Sequence, residues 1–249
     1  MVRELDISTR AQRLLIYWTF GFANAYFVAY YFLIKLLPLP PATLSAAAVA
    51  DFYVQNSTQI RMGAAICSWT GGFTIPLAIV IALQMARVEK GFPIWSIVQM
   101  AGGVMMSVFT VLPPMFWGVA AFTPTRPPEV TLVMHEFGNL AFIATDQYFI
   151  FQNVALAVVC LSRTAIKDSP FPRWLGYLSL WAAFTIEVGV AAFLPKTGPF
   201  AWNGLFVYWI PLLMYGVWFM SVSLCLLRAL KKQEAIAAML QPQHDLARG

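Results

Sequence analysis

The sequence predicts an all-α integral membrane protein, a single domain built as a six-transmembrane-helix bundle with both termini cytoplasmic. Three observations predict it. First, 60% of the residues are hydrophobic and 11% are charged, whereas a soluble domain carries about 25% charged residues. Second, six apolar runs each reach the ~20 residues that a helix needs to cross a hydrocarbon core. Third, the basic residues are sorted by side. Arg3, Arg10, Arg13, Arg87, Lys90, Arg163, Lys167, Arg173, Arg228, Lys231, Lys232 and Arg248 fall on one side of the runs; Lys35, Arg61, Arg126 and Lys196 fall on the other. This is the positive-inside pattern, so the first group marks the cytoplasm. The setting is a multi-pass protein of the cell membrane, a bacterial inner membrane or its equivalent.

The first span covers Leu14–Leu37 and ends at Pro38, Pro40 and Pro41, which cannot continue a helix. It is too long for the 7–15-residue core of a signal peptide. The outer loop 38–59 follows. Its segment from Thr43 to Gln55 is alanine-rich with apolar residues at helical spacing, which fits a short helix on the membrane surface. The second span covers Ile60–Ala86 and the third Ile94–Phe122. The fourth, Thr131–Leu161, would be about 46 Å long, so it must tilt, bend or protrude. The fifth covers Trp174–Leu194 and the sixth Ala201–Leu227. Pro76, Pro113, Pro114 and Pro211 fall inside spans and predict kinks, at a cavity, at a hinge or simply in bundle packing. After Leu227 the helix continues toward anionic headgroups at Arg228, Lys231 and Lys232, and the tail from Gln241 is expected to be disordered.

The fourth run carries polar side chains where lipid should be. His135, Glu136, Asn139, Asp146, Gln147, Gln152 and Asn153 lie within it. On one helix, His135, Asn139, Asp146 and Asn153 fall within about 40° of one another. Ionisable groups at that depth normally face a protein interior or a wet cavity. The fifth run adds Glu187 in its outer half, and Arg61 opens the second. These positions predict an outer pocket of His135, Glu136, Asn139, Glu187 and Arg61 with Asp146 below it, and Glu187 hydrogen-bonded to His135. Lys196 and Asn203 flank the turn Gly198-Pro199, after which Ala201 is expected to start a helix. Its free backbone donors, together with Lys196, would suit an anionic group, although a tight interfacial turn anchored by Trp202 fits the same residues.

Several functions fit such a cluster. The polar groups could hold helices together. They could bind or convert a small lipophilic molecule, with Asp146, Glu187, His135 and Glu136 as catalytic groups and Asn139, Arg61, Lys196 and Asn203 as ligand-binding groups. They could form a proton path in a transporter or conducting subunit. They could also face a partner subunit or a second copy of the chain. A metal or haem is the weakest fit, because only His135 is intramembrane while His244 lies in the tail. No metal set and no particular cofactor is readable. Cys67, Cys160 and Cys225 lie in apolar runs without ligand spacing. The basic residues are spread over short loops, so the partners expected are membrane lipids rather than nucleic acid.

This topology is directly testable. A cysteine at position 55 should react with an impermeant thiol reagent on intact cells, and one at position 240 only after permeabilisation. Labelling of 240 from outside would overturn the six-span arrangement.

Overall fold

The computed structural model describes residues 8–162 and 169–246, with side chains described as far as Met239. Arg3, Arg163, Lys167, His244 and Arg248, named above, lie outside the described side chains. Among the described residues eight α-helices follow one another: α1 (Thr9–Ala29), α2 (Ala46–Thr70), α3 (Thr74–Val88), α4 (Ile94–Phe122), α5 (Pro128–Ala144), α6 (Phe149–Leu161), α7 (Arg173–Glu187) and α8 (Ile210–Leu246). Tighter or wider turns extend several of them, and no strand occurs among the described residues.

Five continuous helical stretches are long and apolar enough to cross a membrane: Ala46–Val88, Ile94–Phe122, Pro128–Leu161, Arg173–Phe193 and Leu205–Met239. The shortest has 21 residues, against the ~20 required. The α1 helix, lengthened by a π turn at Tyr30–Ile34, is not among the five. It carries Arg10, Gln12, Arg13 and Asn24 between its apolar residues. Its buried stripe of Gln12, Ile16, Thr19, Ala23 and Tyr26 nevertheless repeats every three to four residues, the signature of one helix face packed on a bundle.

The chain starts and stops its helices by local hydrogen bonding. Ser8 Oγ accepts from Ala11 N at 3.2 Å, and Ser45 Oγ accepts from Ala48 N at 3.2 Å, each an N-cap. The carboxylate of Glu89 caps α4, accepting from the Trp95 and Ser96 amides at 3.0 and 2.7 Å, where the helix dipole favours negative charge. Pro128 with Glu129 opens α5 in the same sense.

Several boundaries differ from those expected. The surface helix is no separate element. Its residues belong to α2, which runs unbroken from Ser45 past the expected start at Ile60 and places Tyr53 in the core. The last stretch begins at Leu205 as a π turn, while Ala201 to Gly204 form a turn. Pro76 and Pro211 do not kink helix interiors. They lie in the first turns of α3 and α8, directly after the 3₁₀ turn Gly71–Phe73 and the π turn Leu205–Trp209. Only Pro113 and Pro114 lie inside a helix, α4. The last helix reaches Leu246 rather than ending in a free tail at Gln241.

The α4 helix is the hub and packs on α2, α3, α5 and α6. Small residues permit that. A Cβ on Gly102 would lie 2.6 Å from the Gln152 backbone nitrogen, and one on Gly103 would lie 2.5 Å from the Ala78 Cβ. The α1 helix packs on α2, α3 and α8, and α7 sits against α6 and α8. At the end bearing Arg13 and Arg87, a polar staple joins α1, α3 and α8. Gln84 donates to Gln12 at 2.7 Å, Gln233 and Arg87 donate to Gln84 at 3.1 and 2.8 Å, and Arg13 pairs with Glu234. Lys35, Arg126 and Lys196 lie at the opposite end.

Gly102→Val should therefore be costly. The added atoms meet backbone rather than a yielding side chain, and overpacking of this kind costs about 1–3 kcal/mol. Thermal unfolding in detergent should fall by several degrees, and an unchanged midpoint would remove the α4–α6 contact from the core of the fold.

Candidate functional site

The polar face of the fourth stretch does turn inward. His135, Asn139, Asp146, Gln152 and Asn153 are all buried. The stretch is not one helix, however. It breaks after Ala144 into a 3₁₀ turn at Asp146–Tyr148. Side chains compete there for the carbonyls that the helix would use. Thr145 Oγ1 donates to Ala141 O at 2.7 Å and Gln147 Nε2 donates to Ile143 O at 3.1 Å. Thr145 itself sits at φ −105°, ψ 0°, the sparsely populated bridge between helix and extended backbone.

Two separate polar groups result. The first is a hydrogen-bond chain through α2, α4 and α5. Tyr53 Oη lies 3.0 Å from His135 Nδ1, Asn139 Nδ2 lies 2.9 Å from His135 Nε2, and Trp117 Nε1 donates to Asn139 Oδ1 at 3.1 Å. The chain is self-determining. An indole N–H can only donate, so Trp117 fixes the Asn139 amide with its oxygen toward the indole and its nitrogen toward His135. That nitrogen donates, so His135 Nε2 must accept and the ring proton sits on Nδ1, facing Tyr53. The imidazole is neutral, and both its nitrogens are engaged. Trp117 also stacks on Tyr30 with ring centres 5.5 Å apart, and its indole lies directly on Gly138.

The expected hydrogen bond between His135 and Glu187 is therefore not formed. The other members of the expected outer pocket are dispersed as well. Glu136 pairs with Lys196 at 3.5 Å, with the lysine side chain 72% exposed. Arg61 is exposed and lies over the Phe122 ring, 5.1 Å from its centre. Asn203 is half-buried in the turn before Leu205. The turn is held by Ala201 N donating to Gly198 O at 3.2 Å and Phe206 N donating to Pro199 O at 3.0 Å. Trp202 anchors it by donating to Pro40 O at 2.7 Å. No helix N-terminus starts at Ala201.

The second group is built where two helix breaks meet. The Asp146 turn faces the 3₁₀ stretch Val188–Phe193 that follows α7. Gly189 makes this approach possible. A Cβ there would stand 2.7 Å from the Ile143 carbonyl, 2.8 Å from Gln147 Nε2 and 3.3 Å from Asp146 Oδ1. Gln147 Nε2 donates to Asp146 Oδ1 at 2.7 Å. Glu187, two residues before Gly189, ends α7, which packs on the Asp146 turn. One Glu187 oxygen is buried with no hydrogen-bond partner.

Asp146 also borders a cavity between α1, α4, α5 and α8. Its walls include Tyr26, Phe109, Phe142, Tyr208 and Tyr215. Some 30 Å³ is open to the centre of a water-sized sphere, room for about two waters, so a larger occupant requires the rings to move. A shallower crevice between α1 and α8 adjoins it, bounded by Phe73, Gly216 and Phe219 and sharing Phe27, Leu212 and Tyr215 with the cavity. A Cβ on Gly216 would meet nothing within 4 Å.

Tyr53 and Trp117, which hold His135 and Asn139, gave no sign in the sequence, because one sat in a presumed loop and the other in an uninterrupted apolar run. The aromatic wall of the cavity was equally silent. Tyr and Phe occur all along these helices, and only the packing of α8 against α1 and α4 selects which ones enclose space. Among the described residues no cluster of three His, Cys, Asp or Glu side chains could hold a metal ion. Comparison with protein families, with curated proteins and with solved structures found no match.

The hydrogen-bond chain has a clear energetic signature. Asn139→Leu leaves a buried indole N–H and a buried imidazole nitrogen unpaired, at about 1–3 kcal/mol for each such group. The double variant with His135→Phe should lose less than the sum of the two single losses, because both changes break the same bond. Strict additivity in thermal unfolding would show that the chain does not act as a unit.

Proposed function

We propose that this protein is a six-span membrane protein, its termini cytoplasmic, that binds a small lipophilic molecule in the aromatic cavity beside Asp146. The observation that carries this reading is the cavity itself, a mostly apolar space within the bundle with one carboxyl in its wall and a crevice toward the α1–α8 surface. Ligand sites commonly combine an apolar enclosure with a few convergent polar groups. The α1–α8 crevice gives a hydrophobic molecule an approach from the lipid phase. The helix break at Asp146 supports the same reading, since irregular backbone at membrane depth is tolerated where it lines a cavity or is buried in protein.

In this reading α1 is the sixth span. With its π turn it runs 26 residues, the 21 of α1 and the 5 of the turn, or about 39 Å. Arg10, Gln12 and Arg13 lie near its start, and exposed Asn24 donates its side-chain amide to Phe20 O at 2.8 Å. Asp146 binds the polar part of the ligand and is the group from which proton transfer would start if the molecule is converted. Glu187 modulates Asp146 from the neighbouring turn. His135 and Asn139 position α5 rather than touch the ligand. Glu136 with Lys196, Arg61, and Asn203 belong to the far rim.

A small aryl diazirine, which partitions into membranes and couples to its surroundings on illumination, tests this. It should label the buried residues Phe142 and Tyr215 as well as exposed Leu213 and Met220. Gly216→Phe adds a ring beside the crevice, where an added Cβ has nothing within 4 Å, and should reduce the buried labelling several-fold while leaving the surface labelling intact. Labelling confined to the surface in the wild-type protein would overturn the reading.

A further inference from the structure

The two carboxyl groups at the meeting helix breaks lack a cation. Among the described residues, neither Asp146 nor Glu187 forms an ion pair with lysine or arginine. The nearby candidates are committed elsewhere: Lys196 to Glu136, Arg61 to the face of Phe122, and His135, neutral, to Tyr53 and Asn139. Asp146 is buried in the cavity wall without a cation, and a carboxylate there is poorly solvated. An ammonium group beside it would supply the missing partner.

The walls suit the same charge. Phe109 and Phe142 lie 4.7 Å apart centre to centre, and Phe142 and Tyr208 lie 6.4 Å apart. With Tyr215 they surround a space whose only ionisable carboxyl is Asp146. Ring faces carry negative potential and attract a desolvated cation. A further mark of an absent occupant is the hydroxyl of Tyr26. This residue is 1% exposed and lines the cavity, yet its hydroxyl has no hydrogen-bond partner. A buried hydroxyl left in that state costs free energy, and an occupant able to hydrogen-bond would relieve it.

We infer that the ligand of this cavity is a lipophilic amine, held with its ammonium group against Asp146 and its apolar body among the aromatic rings. This rests on the proposed reading of the cavity as a ligand site and adds the charge of the ligand to it. Nothing in the wall offers a positive partner to an anionic lipophile, and an uncharged one would leave both carboxyl groups uncompensated.

The test uses two probes of nearly equal size, phenethylamine and phenethyl alcohol, with the full chain in detergent. Binding is read by tryptophan fluorescence and by the shift in thermal unfolding. The amine should bind at least about tenfold more tightly than the alcohol, a difference of about 1.4 kcal/mol. Asp146→Asn should abolish that preference and leave the alcohol unaffected. Glu187→Gln, which removes a charge at a half-buried position, should weaken the amine by a smaller factor. Gly216→Phe should weaken both probes together. Equal binding of the two probes to the wild-type protein would overturn the amine assignment while leaving a lipophile site in place. Failure of both probes, together with diazirine labelling confined to the surface, would overturn the assignment and the site with it.

Discussion

A buried polar group in an apolar interior must find its partner inside the protein, and the architecture here follows from that requirement. The interior of the bundle contains His135, Asn139, Asp146, Gln152 and Asn153 on one stretch of chain. None can be left to lipid. Two helices and two turns converge on them. Tyr53 comes from α2, Trp117 from α4, Gln147 from the turn between α5 and α6, and Gly189 from beyond α7. The close approach of α4 to α6 at Gly102 and Gly103 belongs to the same arrangement, because Gln152 packs against that pair of glycines. Hydrogen bonds between membrane helices are individually modest, about 0.6 kcal/mol on average. Their importance lies in excluding other helix registers, since a one-residue slip would strand several buried groups at once.

The same requirement separates the two polar groups in character. The chain from Tyr53 to Trp117 links all four side chains by hydrogen bonds, and its imidazole has one allowed tautomer. The group at Asp146 is incomplete. It has two carboxyl groups, one amide, one buried oxygen without a partner and no cation. Completed networks hold a structure in one state. An incomplete one next to a cavity is where a ligand has something to contribute. The division of roles between His135 and Asp146 is thus a matter of satisfied and unsatisfied hydrogen-bonding capacity, not of which residue type is more reactive.

Much of the architecture was legible in the sequence, and the gaps have physical causes. The membrane-compatible class followed from composition, and the inward face of the fourth stretch followed from the spacing of His135, Asn139, Asp146 and Asn153. That spacing survived because a 3₁₀ turn at Asp146 shifts the phase by only part of a turn. The break itself was not legible, since Thr145 and Gln147 are ordinary helix residues until their side chains take carbonyls from the backbone. The outer pocket was drawn from sequence depth alone, which fixes height along a helix axis but not the direction a side chain faces. Glu187 and His135 lie on helices whose contact was foreseen, yet His135 faces α2 and α4. The start of α2 was missed because an alanine-rich segment next to a proline cluster carries no apolar contrast to separate a surface helix from the first turns of a long one.

The polar staple at the end bearing Arg13 and Glu234 has a mechanical consequence for the α1–α8 seam. That end is fastened by an ion pair and by amides joining Gln12, Gln84 and Gln233, whereas halfway along the seam Gly216 leaves a gap. A seam fixed at one end and loose further along widens as a hinged door does, least at the fastening and most at the far edge. The side chains of Phe27, Leu212 and Tyr215 stand along the leaf of that door. Any widening of the seam is therefore smallest at Arg13 and Glu234, and the staple constrains the crevice from many residues away.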